Sequence, residues 1–68
     1  MALNSFKDEF WRPVEVAKVL RISVKTLYNM RARGEGPPAY KLGGRGGRVR
    51  YRRSDVEAWI EQGREVNG

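Results

Sequence analysis

The sequence predicts a mainly α domain carrying one small antiparallel β-hairpin, and three observations lead there. Two short segments with helical apolar spacing lie three residues apart. Four glycines around an arginine, at 43–47, divide two segments that alternate apolar and polar residues. Behind them a Ser-x-x-Glu start opens a third helical segment. At 68 residues the chain has room for one small domain, close to the size at which an apolar core barely offsets chain entropy.

The first helix is expected over 13–20. Pro13 is pre-organised for a first turn, Val16, Val19 and Leu20 recur at i, i+3, i+4, and Trp11 is placed to pack on Val16. Arg12 then falls at the cap, where it offers no acceptor. Arg21-Ile22-Ser23 breaks the pattern. Ser23 is a good N-cap, and Ile22 stands five residues before Leu27, the spacing of a hydrophobic staple. A second helix follows over 24–33, with Gly34 as its left-handed stop. Two short helices with so brief a connection suit a helix-turn-helix, and an ordinary helical hairpin fits the same periodicity.

Gly36-Pro37-Pro38 turns the chain into an extended segment. Tyr40 and Leu42 alternate with Ala39 and Lys41, and Val49 and Tyr51 with Arg48, Arg50 and Arg52. The expected hairpin therefore has an apolar face of Tyr40, Leu42, Val49 and Tyr51 and a cationic opposite face. The apolar face should lie on the helices, because a lone hairpin is unstable in water. Ser54 and Glu57 form a capping box for a third helix, in which Val56, Trp59 and Ile60 make the apolar stripe and Gly63 the stop. The chain reads as a single domain over 1–68, with an ordered core over about 10–62, an arm at 1–9 and a tail at 63–68.

Composition narrows the function. There is no Cys and no His, which argues against a disulfide, a structural zinc site and any Ser-His or Cys-His hydrolase. No catalysis, cofactor, metal or small-molecule ligand is expected. No apolar run has the length of a membrane span and the first ten residues are too mixed for a signal peptide, so a cytoplasmic, nucleoid-associated domain is expected. The net charge of +6 is unevenly spread: residues 12–53 carry +10, the segment before them −1 and the segment after them −3. Ten of the fourteen cations are Arg, whose planar fork suits phosphates and guanine edges. A polyanion is the partner this distribution favours.

On the second helix Leu27 and Met30 share the side of Ser23, toward the first helix. Lys25, Tyr28, Asn29 and Ala32 recur on the opposite side. A small residue flanked by a cation, an amide and a phenol lets a helix sit deep in a major groove, where Asn pairs with adenine and Lys with guanine. Arg31 and Arg33 flank that side and suit phosphates, as do Thr26 and Arg12. The Gly43–Gly47 loop lacks the Gly-Lys-Ser/Thr ending of a nucleotide-binding P-loop. It contains one RGG tripeptide, a weak hint of RNA or single-strand binding. It also suits a groove-entering tip with Arg45, Arg48 and Arg50 as its charges. Trp11, Tyr51 and Trp59 read as core or core-edge residues.

The segments AKVLRISVKTLY at 17–28, GPP at 36–38, KLGG at 41–44, RVRY at 48–51 and SDVEAWI at 54–60 resemble, in order and spacing, the blocks of the MerR-like, excisionase-type winged helix-turn-helix family. The resemblance spans roughly 10–62. It implies a winged helix-turn-helix that binds double-stranded DNA, with the second helix (25–33) in the major groove and the hairpin (45–50) as a wing in the minor groove. It also implies an excisionase or recombination directionality factor of a phage or integrative element, assisting an integrase, with further copies side by side on DNA. A small transcriptional regulator of the same fold is the alternative, and an RNA or single-strand binder a more distant one. Two features depart from the family: Arg12 stands at the usual Ser or Thr cap, and the wing loop is about three residues longer, leaving Arg45 and Arg48 both candidates for its tip. The long coiled coil and effector domain of full-length MerR regulators are missing, so ligand-sensing activation is not expected.

Overall fold

The computed structural model describes residues 9–65, so the expected arm at 1–9 and tail at 63–68 lie largely outside the described residues. The order is β1 (Phe10–Trp11), α1 (Pro13–Leu20), α2 (Val24–Ala32), β2 (Tyr40–Leu42), β3 (Arg48–Arg52) and α3 (Arg53–Gln62). The core is small: Val16, Ala17, Leu27, Tyr51 and Val56 are buried, with Trp11, Leu20, Ile22, Val24, Ala39 and Val49 packed around them.

α1 has the expected bounds. Arg12 is its N-cap, and the Glu15 carboxylate accepts from the Arg12 backbone N–H at 2.7 Å, satisfying a donor the arginine side chain cannot. Its buried pair is Val16 and Ala17, whereas Val19 is half exposed, so the inward stripe is rotated from the predicted one. α2 is capped as expected by Ser23, whose Oγ accepts from the Thr26 N–H at 3.0 Å. It ends at Ala32, one residue early. Gly34 at φ 73° closes it: the Gly34 N–H donates to the Arg31 carbonyl at 3.0 Å and the Glu35 N–H to that of Met30 at 2.8 Å.

The sheet corrects the predicted hairpin in two ways. It has three antiparallel strands in the order β1-β3-β2, because Phe10 and Trp11 pair with Arg52 and Tyr51 as an edge strand. The register also pairs Tyr40 with Arg50, Lys41 with Val49 and Leu42 with Arg48. Directly opposed residues share a face, so Tyr40 and Leu42 lie with the arginines, on the face away from the buried core. The helix-facing side holds Trp11, Ala39, Val49 and Tyr51. Alternation within each strand was legible, but the parity between strands depends on the loop.

α3 also differs from expectation. It begins at Arg53, directly after β3, with Arg52 rather than Ser54 at the N-cap position. The Arg53 N–H is satisfied by the Glu9 carbonyl at 2.8 Å, which extends the β1 pairing and removes the need for a serine cap. Val56 is buried and Trp59 half-buried, while Ile60 is exposed.

The loop between β2 and β3 folds through positive φ at Gly43, Gly44 and Gly46, with the Gly47 N–H donating to the Gly44 carbonyl at 2.8 Å. Gly47 has a different constraint. A Cβ there would run into the Leu42 carbonyl oxygen and come within 2.7 Å of the Gly44 carbonyl. Gly47→Ala is expected to cost about 1–3 kcal/mol, read as a lower Tm with faster amide exchange in the hairpin. Leu27→Ala should cost about 2–5 kcal/mol, because the site has few neighbours to fill the cavity.

Candidate nucleic-acid interface

α2 presents its two sides unequally because only one is apolar. Val24, Leu27 and Met30 face inward, Leu27 being buried. Lys25, Tyr28, Asn29 and Ala32 are all exposed, as a continuous stripe. Among the described residues the side chains of Lys25, Tyr28 and Asn29 make no hydrogen bond or ion pair, so their polar atoms are available to a ligand. Arg31 is exposed beside them and likewise unpaired.

The flanking residues are more engaged. The Thr26 hydroxyl accepts from Ser23 Oγ at 2.9 Å as part of the cap. Arg33 donates to Glu35 Oε1 at 3.2 Å, and Arg12 Nε lies 3.7 Å from Glu15 Oε1. Both ion pairs are well exposed to solvent, and such pairs contribute little and exchange readily for another anion.

On the hairpin, Arg45 stands in the middle of the glycine loop and Arg48 is the first residue of β3, opposite Leu42. The tip is therefore Arg45. Arg48 and Arg50 follow on the outward face. Arg48 is exposed, whereas Arg50 is half-buried and donates to the Val49 carbonyl at 2.8 Å. An open hollow of about 370 Å³ lies against the loop, lined by Leu42, Gly43, Gly46, Gly47, Arg48 and Arg50.

Farther along the same face is a cluster that sequence reasoning missed. Tyr40 Oη donates to Asp55 Oδ2 at 3.0 Å and accepts from Arg52 Nη2 at 2.9 Å, while Arg52 Nε donates to Asp55 Oδ2 at 3.3 Å. The Arg52 guanidinium sits 5.4 Å from the Tyr40 ring centroid, and Phe10 meets that ring edge-on at 6.2 Å. The hydrogen bond and charge of Asp55 hold Arg52 still more firmly protonated. Arg52 is thus a structural cation that ties the sheet to the start of α3. The signal in the sequence was the Arg52–Asp55 spacing of i, i+3, obscured by the Ser54 box.

The hairpin and α2 meet at Tyr51. Its ring is buried, and burial pushes its phenol above the ordinary tyrosine range, with Arg31 lowering it in part and Tyr28 raising it further. Both of these neighbours belong to α2, whose Leu27 shares the buried cluster with the Tyr51 ring. Among the described residues no helix is long and apolar enough to cross a membrane, and no group of acidic residues could hold a metal ion.

The profile of a family described as a helix-turn-helix domain matches residues 12–64, more than three quarters of the chain. No curated protein and no solved structure matches significantly.

The Tyr51 environment sets a pH dependence. The folded pKa is raised, so above about pH 10 the unfolded chain loses a proton that the folded chain keeps. The stabilisation is complete below that pH and is lost as pH rises through the folded pKa. Tm measured between pH 8 and 11 should fall more steeply for the wild type than for Tyr51→Phe.

Proposed function

The chain belongs to the helix-turn-helix domain family, and on that premise we propose that it is a non-catalytic, sequence-selective binder of double-stranded DNA. The observation that carries this reading is the exposed, unpaired Lys25–Tyr28–Asn29–Ala32 stripe on the second helix of the motif. α2 enters a major groove, where Lys25 and Asn29 read base edges. Tyr28, Arg31 and Arg33 clamp the flanking phosphates, with Thr26 and Arg12 adding contacts once they release their internal partners. The hairpin acts as a wing: Arg45 leads at the tip and Arg48 and Arg50 follow into the adjacent minor groove. Glycine at the tip keeps it slender enough for a groove only about 6 Å wide.

Within this reading the chain is an excisionase that assists integrase-mediated excision of a phage or integrative element. Support comes from the ordered run of sequence blocks, from AKVLRISVKTLY to SDVEAWI, that resembles such proteins. A small transcriptional regulator would use the same domain. A recognition helix of this size reads only a few base pairs, so selectivity requires several copies side by side, an integrase, or both. A cytoplasmic, nucleoid-associated location goes with that role.

Neutralising about five to seven phosphates gives a slope of roughly −5 to −6 in log K against log salt. A slope near zero, or preference for RNA of matched sequence over the duplex, would overturn duplex binding. Lys25→Ala with Asn29→Ala should erode discrimination by about tenfold or more. Arg45→Ala with Arg48→Ala should weaken all duplexes alike and make the slope shallower by about 2. Identical behaviour of the two double variants would refute this division of labour. Selection of bound fragments from the source genome separates the two roles, since an excisionase enriches an attachment site and a regulator enriches promoters.

A further inference from the structure

The two helices of the motif end in the same way, with one difference in residue. α2 closes on Gly34 in the left-handed conformation. α1 closes on Arg21 at φ 60° and ψ 42°, with the Arg21 N–H donating to the Lys18 carbonyl at 3.2 Å and the Ile22 N–H to that of Ala17 at 3.0 Å. Glycine takes this conformation freely, whereas a Cβ crowds the following carbonyl. Among the described residues Arg21 is the one non-glycine residue at positive φ.

The folded chain shows no return for that cost. Arg21 is exposed, and among the described residues its guanidinium makes no hydrogen bond or ion pair. A cation at a helix C-terminus is favourable, but Lys18 in the last turn of α1 already supplies one. Charge gives a second, independent observation. Residues 18–25 contain Lys18, Arg21 and Lys25 and no acid, and all three cations are exposed and unpaired among the described residues. Backbone strain at non-glycine residues collects at functional sites, and this strained arginine lies two residues before Ser23, the cap of α2.

We propose that the α1–α2 turn is itself a DNA-backbone contact, in which Arg21 holds a phosphate beside the groove that α2 occupies. This rests on the DNA-binding reading above and adds a site to it. The planar guanidinium engages two phosphate oxygens, and Lys18 adds charge to the same turn. The contact is blind to sequence and fixes the angle at which α2 enters the groove.

Wild type, Arg21→Gly and Arg21→Lys are compared by titration of a selected duplex and an unrelated duplex across a salt series, with thermal unfolding alongside. Arg21→Gly is expected to lose roughly tenfold in affinity for both duplexes and to make the log K against log salt slope shallower by about 0.9. Its Tm should equal or exceed that of the wild type. Arg21→Lys should keep the wild-type slope. An Arg21→Gly variant with wild-type affinity and slope overturns the proposal and leaves the DNA-binding reading standing. A glycine variant that melts well below the wild type also overturns it, because the arginine would then be serving the fold. Failure of the wild type to bind either duplex overturns both the reading and the proposal.

Discussion

Burial of the Tyr51 ring is the contact on which the arrangement of this domain depends. The five residues of the buried core cluster come from α1, α2, β3 and α3, and Tyr51 is the largest of them. Trp11 pairs with it across the sheet, which recruits the two-residue β1 to an otherwise two-stranded hairpin. Val16, Ala17, Leu27 and Val56 complete the cluster from the three helices. The phenol is held above the ordinary tyrosine range by burial, lowered in part by Arg31 and raised further by Tyr28, both on α2. A domain with so few buried side chains has little redundancy, so one aromatic ring is a large part of what joins the sheet to the helices.

What could be read from the sequence was local, and what could not was set by contacts between distant segments. Pro13, Ser23 and Gly34 mark the helix ends through their own backbone and capping chemistry, and each sits where that chemistry predicts. The polar stripe on α2 was likewise legible, because 3.6-residue periodicity fixes which residues share a side. The faces of Tyr40 and Leu42 were not legible. A strand sequence shows alternation, but only the Leu42–Arg48 pairing across the glycine loop decides which set of alternate residues meets the helices. The start of α3 at Arg53 rather than after Ser54 has a related reason. Glu9, forty-four residues earlier in the chain, satisfies the first N–H of α3, so the strand runs straight into the helix.

The ion pairs sort the cations into two groups. Arg12, Arg33, Arg52, Arg53 and Arg64 each have a carboxylate partner, and of the described acids all but Glu65 are used in such pairs. Arg52 is the most committed of these, held by Asp55 and Tyr40 at once. The cations without a carboxylate partner among the described residues are Lys18, Arg21, Lys25 and Arg31 on the α1–α2 motif and Lys41, Arg45, Arg48 and Arg50 on the hairpin. The acids pair with cations of the sheet, the caps and α3, and the uncompensated charge falls on the α1–α2 motif and the hairpin. Charge count alone gives the net sign, and the pairing shows where on the surface the uncompensated charge lies.

That arrangement works against the fold. Unpaired like charges repel within a small domain, and Arg21 adds a left-handed arginine where glycine would sit without cost. Neither feature helps a chain whose core is five side chains. A polyanion removes the first of these penalties on binding, because phosphates replace the missing acids and screen the cations from one another. Any ligand that binds the folded state in preference to the unfolded one also stabilises it by mass action. The same residues that weaken the isolated domain therefore couple its stability to occupancy of its basic surface.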